Sequence, residues 1–112
     1  MPFGQRAAPQ GAVSGGSETI AEGERSLSSG GAGNHATGYA STTAGGGGNH
    51  AEGYIGTVAG GYSNRAGNGS WSTVCGGAEN VTNGHYSTVG GGYQHTTSGD
   101  YDWRAGNLFQ DN

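Results

Sequence analysis

Gly76-Gly77-Ala78-Glu79-Asn80-Val81-Thr82-Asn83-Gly84-His85-Tyr86-Ser87-Thr88-Val89-Gly90 is one copy of a repeat. Sliding it along the chain brings glycine pairs into register at Gly15-Gly16, Gly30-Gly31, Gly45-Gly46, Gly60-Gly61, Gly76-Gly77 and Gly91-Gly92, in steps of 15, 15, 15, 16 and 15 residues. Six units therefore cover residues 15–105. The fifth position reads Thr19, Asn34, Asn49, Asn64, Asn80 and His95, and the seventh reads Ala21, Ala36, Ala51, Ala66, Thr82 and Thr97. A Ser-Thr-Val-like triplet closes each unit, as in Ser72-Thr73-Val74 and Ser87-Thr88-Val89. Ser26-Leu27-Ser28 and Asp102-Trp103-Arg104 are its worn copies at the two ends. Worn end copies are what a repeat array produces, because the outermost units face something other than a neighbour.

Composition alone would point away from a packed fold. Of 112 residues only 11 are Val, Ile, Leu or Phe, while Gly and Pro together number 29. Two features oppose disorder: the strict period, and a charged fraction of only 11% with a net charge of −4. Disordered chains carry more charge than this. The chain has no lysine, and its four arginines (Arg6, Arg25, Arg65, Arg104) are scattered. Nucleic-acid binding by phosphate neutralisation is therefore not expected. No apolar run approaches the roughly 20 residues of a membrane-spanning helix, so no membrane insertion is expected. A single cysteine, Cys75, excludes an intrachain disulfide.

A period of 15 residues is too short for a strand-helix unit and too long for one strand. Two short strands and two turns fill it. The expectation is an all-β chain: a parallel β-roll or β-solenoid of about six coils, with one strand on the Ser-Thr-Val triplet and one on the Asn-x-Ala-x-Gly segment. The glycine pairs Gly30-Gly31, Gly45-Gly46, Gly60-Gly61, Gly76-Gly77 and Gly91-Gly92 would form one turn, and the segment around Gly38-Tyr39-Ala40 the other. Coils about 4.8 Å apart would give a rod of roughly 29 Å. Alternation along a strand points Val58, Val74 and Val89 inward opposite Ala36, Ala51 and Ala66, with Thr42, Thr57, Thr73 and Thr88 outward. On the other strand His35, His50, Arg65 and Val81 face out. The extra residue of the fourth unit, within Arg65–Trp71, should bulge at a turn.

Residues 1–14 lie outside the repeat and hold both prolines. They read as an extended N-terminal arm, anchored by Phe3 and Val13 and docked on the solenoid or on a neighbouring chain. Residues 106–112 read as a short C-terminal tail whose large apolar residues are Leu108 and Phe109. No capping helix is expected, and open solenoid ends expose strand edges that recruit other chains. Tyr39, Tyr54, Trp71, Tyr86 and Tyr101 recur near the second turn, with Tyr62 and Tyr93 after the glycine pairs. So thin a coil cannot enclose rings of that size. They should form an outer stripe for lateral association between rods.

Asn49-His50-Ala51-Glu52-Gly53, Tyr86-Ser87-Thr88-Val89-Gly90-Gly91-Gly92 and their copies resemble the YadA-like head repeats of trimeric autotransporter adhesins, which also occur in phage fibre proteins. The resemblance spans about four fifths of the chain and does not include that family's stalk, neck or membrane anchor. It implies a left-handed parallel β-roll, usually trimeric, with a role in adhesion and receptor contact at a surface.

Catalysis is not expected. A phosphate loop of the Walker kind needs a lysine, and a one-dimensional array repeats its chemistry without concentrating it. His35 and His50 share a column one coil apart, with Glu52 two residues on, and two imidazoles so placed could share a zinc or copper ion. A plain surface ladder is the preferred reading, so neither a metal nor another cofactor is predicted. The Asn34, Asn49, Asn64, Asn80 column could be a ligand face, but stacked amides bonding along the roll are favoured. The Thr column could order ice-like water, although it is single. Cys75 reads as a small residue in the column of Ala44, Ala59 and Gly90. The functional expectation is a structural subunit that self-assembles, end to end or laterally, into an extracellular fibre. The alternative is an adhesin-like or phage-fibre head at a cell surface or on a virion, binding a receptor or glycan.

Overall fold

A computed structural model describes residues 6–7, 10–106 and 108–110 of the chain. Phe3, expected to anchor the arm, lies outside the described residues. The fold is an all-β parallel solenoid of about six turns, built as two sheets joined by two turns per coil. Its Cα envelope measures 43 × 22 × 13 Å.

The seven-stranded sheet runs β1 (Arg6–Ala7), β3 (Ile20–Ala21), β5 (His35–Ala36), β7 (His50–Ala51), β9 (Arg65–Ala66), β11 (Val81–Thr82) and β13 (Thr96–Thr97). The other runs β2 (Ala12–Val13), β4 (Leu27–Ser28), β6 (Thr42–Thr43), β8 (Thr57–Val58), β10 (Thr73–Val74), β12 (Thr88–Gly91) and β14 (Trp103–Ala105), with β15 (Leu108–Gln110) beside β14. Repeat positions pair in register, His35 with His50 and Thr57 with Thr73. A third, single-residue bridge ladder, Ser17–Ala32–Gly47–Tyr62–Ala78–Tyr93, follows the glycine pairs. Periodicity did not signal it, because one bridged residue per coil has no alternation to read.

The described part of the first 14 residues is laid in the same lattice, Arg6 opposite Ile20 and Ala12 opposite Leu27. At the other end, β15 pairs antiparallel with β14. The outer edge of the larger sheet is thus taken by a hairpin instead of being left as a parallel edge. The extra residue of the fourth unit stays within the turn between β9 and β10, and both sheets keep their register across it. The register shift that does occur lies between Val89 and Gly91, where β12 meets β14.

Val58, Val74, Val89, Ala36, Ala51 and Ala66 are fully buried. A buried Val contributes roughly 1.5–3 kcal/mol, so three such residues cannot by themselves hold 15 strands. Much of the remaining interior is polar and hydrogen-bonded. Thr43 and Ser28 continue the Val column, and the Thr43 hydroxyl donates to Ser28 Oγ at 2.9 Å. The Ser column ties the second turn: Ser41 Oγ and Ser87 Oγ each donate to a carbonyl three residues back, Gly38 and Gly84, at 2.7 Å. In the last coil Asp102 reverses that polarity, with Oδ2 accepting from the Gly99 amide at 2.8 Å.

The Asn column is internal and fully buried. Asn64 is representative. Its Nδ2 donates to Gly60 O and to Gly77 O of the next coil, both at 2.9 Å, and its Oδ1 accepts from the Asn80 amide at 2.9 Å. The side chains therefore bond to backbone above and below, and three of the four hydrogen bonds available to a primary amide are made. Asn34, Asn49 and Asn80 repeat the pattern.

Candidate functional site

With the interior committed to the lattice, any function must sit on the surface, and the coil presents three kinds of it. The first is the turn that follows the seven-stranded sheet. Here Arg25, Ala40, Ile55, Trp71, Tyr86 and Tyr101 all take positive φ, between 52° and 65°. The conformation swings each amide toward the preceding coil: Ala40 N donates to Glu24 O, Ile55 N to Tyr39 O, and Tyr86 N to Ser70 O. Strand amides donate the other way, as Leu27 N does to Ser41 O. Successive coils are thus bonded in both directions.

Rings line this edge in an unbroken file. Tyr39 and Tyr54 stack with centroids 5.2 Å apart, Trp71 and Tyr86 at 5.3 Å, and Tyr86 and Tyr101 at 5.2 Å, with interplanar angles of 8°, 3° and 4°. Tyr54 meets Trp71 edge-on at 70° and 5.3 Å. That one break has a cause in the sequence. Tyr39 and Tyr54 stand just before the positive-φ position, whereas Trp71, Tyr86 and Tyr101 occupy it. The extra residue of the fourth unit lets the file change column without interruption. Arg25 closes the Tyr39 end, with its guanidinium carbon 5.9 Å from the ring centre and NH1 donating to the Tyr39 hydroxyl at 3.1 Å. Tyr39 is half-buried, while Tyr54, Trp71, Tyr86 and Tyr101 remain 46–60% exposed.

The seven aromatic residues expected as one stripe form two groups. Tyr62 and Tyr93 lie on the opposite edge, in the third bridge ladder and two coils apart, because the two turns sit at opposite ends of the strands. They are 63% and 60% exposed.

The second surface is the outer face of the seven-stranded sheet. His35 and His50 pack with ring centres 4.7 Å apart. Glu52 bonds Arg65 Nε, and its other oxygen lies 3.7 Å from His50 Nδ1. Gly48, His50, Glu52, Ser63 and Arg65 border a shallow depression. Glu52 is therefore partnered by Arg65, and among the described residues no three His, Cys, Asp or Glu side chains converge as metal ligands would. Ser70, His85 and Asp100 also share a column, but through the backbone. Ser70 N donates to His85 Nδ1 at 3.0 Å, and His85 N donates to Asp100 Oδ1 at 2.9 Å. The carboxylate thus orients a peptide and not the imidazole, which is not the relay that nucleophilic catalysis needs.

The third surface is the outer face of the eight-stranded sheet, a flat array with Leu27, Thr42, Thr57, Thr73, Thr88 and Trp103 in register. Ala44, Ala59, Cys75 and Gly90 form the exposed column beside it. The glycine-pair turn separates this array from Tyr62 and Tyr93.

The pairs themselves are unequal. At Gly31, Gly46, Gly61 and Gly77 a Cβ would lie 2.1–2.2 Å from a carbonyl of the next coil, whereas at Gly60 and Gly76 it would meet nothing within 4 Å. The glycine that ends the Asn-x-Ala-x-Gly segment belongs to a further column, Gly38, Gly53, Gly69 and Gly84, where a Cβ would lie 2.0–2.3 Å from a backbone oxygen of the next coil. Sequence reading had this glycine at the end of a strand segment, but not the close backbone approach that requires it.

Among the described residues no helix is long and apolar enough to cross a membrane. No protein-family model, no curated protein and no solved structure matches the chain.

Proposed function

We propose that the chain is a non-enzymatic structural subunit whose rods associate side by side into a fibre-like assembly. The observation that carries this reading is the file of five rings in mutual contact along one edge, ordered by their own packing and half-open to water. Aromatic side chains already held in place lose little conformational entropy on docking. Exposed apolar surface in a continuous line is what lateral contacts use. The hairpin at β14 and β15 weighs against simple end-on continuation of the larger sheet, since a parallel strand from another chain would find that edge occupied. The placement proposed is extracellular, at a cell surface or on a virion, in keeping with the resemblance to YadA-like head repeats.

A second reading, an adhesin-like or phage-fibre head binding a receptor or glycan, is favoured by the polar depression around His50, Glu52 and Arg65. The aromatic file supports it less well. Sugars stack on open ring faces, and here the Tyr39–Tyr54, Trp71–Tyr86 and Tyr86–Tyr101 pairs turn their faces to one another.

Sedimentation velocity and negative-stain electron microscopy over a concentration series test the proposal. Mass should rise with concentration, and bundles of rods should appear. Replacing Trp71 and Tyr86 by Ser should suppress the bundles while leaving the far-ultraviolet spectrum unchanged. A wild-type chain that stays monomeric throughout would refute the assembly reading.

A further inference from the structure

Eight large apolar side chains are markedly exposed among the described residues, and six of them belong to the two edges. The remaining two, Leu27 at 38% and Trp103 at 40%, stand at opposite ends of one column on the outer face of the eight-stranded sheet. Between them lie Thr42, Thr57, Thr73 and Thr88. None of the outward positions of this face among the described residues is charged, although the chain carries −4 overall. The opposite sheet presents Glu22, Glu52 and Arg65. Two copies that repel through their net charge can approach most cheaply over the neutral face. The rod's broad side, turns included, is bounded by 43 × 22 Å, at most about 900 Å² per copy, the order of the roughly 800 Å² per partner in a standard stable interface.

We propose that this face binds a second copy of the chain in antiparallel orientation, as a two-fold dimer whose dyad crosses the column between Thr57 and Thr73. The inference rests on the assembly reading above and assigns its first step. Orientation follows from the two knobs. In a parallel pair Leu27 would meet Leu27 and Trp103 would meet Trp103, so the flat faces would be held apart more at one end than the other. In an antiparallel pair each end seats one Leu against one Trp, the standoff is equal, and the Thr columns close evenly. A dyad parallel to the strands also keeps the aromatic edges of both copies on the same side. The dimer then carries a double row of rings, a broader contact for bundling. Isologous pairing of this kind uses one patch twice.

Sedimentation equilibrium on Leu27→Asp, on Trp103→Arg and on their equimolar mixture tests the proposal. Each variant alone should dimerise at least tenfold more weakly than the wild type. The mixture should regain at least tenfold, because each antiparallel heterodimer sets the introduced carboxylate against the introduced guanidinium and keeps one native Leu27–Trp103 contact. That gain should fade with added salt. Variants that dimerise like the wild type would overturn the choice of face, and a mixture no tighter than its components would overturn the antiparallel arrangement. A wild type that is monomeric at every concentration would instead remove the assembly reading beneath both. If either variant fails to fold, the unmodified chain still decides. Cys75 is exposed beside the dyad, so a short bis-maleimide should link Cys75 to Cys75 of the second copy. Absence of that product at dimer-forming concentration would overturn the proposal.

Discussion

The two turns of each coil solve one geometric problem in opposite ways. At the glycine-pair turn, Gly46 and Gly61 combine positive φ, 82° and 89°, with a Cβ position already occupied by the next coil. At the aromatic turn, residues as bulky as Ile55, Trp71 and Tyr86 hold positive φ, while Gly38 and Gly84, with no positive φ, have no room for a methyl group. The difference shows that glycine is demanded here chiefly by the approach of the neighbouring coil and only secondarily by backbone conformation. A left-handed residue whose side chain leaves toward water costs about 1–2 kcal/mol, which the amide bond to the preceding coil helps to offset. A Cβ driven into a carbonyl has no such outlet.

The strongest way to break this contrast is Gly38→Ala. Its Cβ would lie 2.2 Å from Gly53 O and 2.6 Å from Glu52 O. The expected loss is about 3 kcal/mol, at the upper end for overpacking, read as a lowered midpoint in chemical denaturation. Asn64→Ala comes next. It strands Gly60 O and the Asn80 amide and leaves Gly77 O with the Tyr62 amide alone, and the cost should be about 2–3 kcal/mol, with faster amide exchange at Asn80. Ala40→Gly isolates the conformational component, because φ there is 52°. It should raise stability by about 1 kcal/mol, and a loss of stability would mean that positive φ carries no strain in this turn. The smallest change is expected for Gly60→Ala, where a Cβ meets nothing. A shift within about 0.5 kcal/mol of zero would separate the two members of a pair that look identical in sequence.

Coil length, strand positions and the pairing register were legible because a 15-residue period with Val and Ala in fixed columns admits few other arrangements. Alternation also placed Thr42, Thr57, Thr73 and Thr88 on the outside. Three features were not legible. Which glycine of a pair is indispensable depends on the backbone conformation and on the distance to the next coil, and Gly60 and Gly61 differ in both. The aromatic file crosses columns between Tyr54 and Trp71, and Tyr62 and Tyr93 lie on the far edge from it because the two turns sit at opposite ends of the strands. The pairing of Leu108–Gln110 with Trp103–Ala105 has no repeat to announce it. The candidate surfaces were readable as columns, but their neutrality or charge became meaningful only once the columns were gathered into faces.

The internal amide ladder also gives the rod a direction of failure. From Asn34 to Asn80 each side chain rivets its own turn to the one beyond. At the first unit Thr19 replaces the amide and reaches Gly15 O alone, and at the last His95 leaves Nδ1 buried without a partner. Disassembly therefore has two soft mouths and a stiff middle. Fraying is expected to enter from the tips and to slow at the first rivet, as in a zip fastener whose stops lie inside its ends.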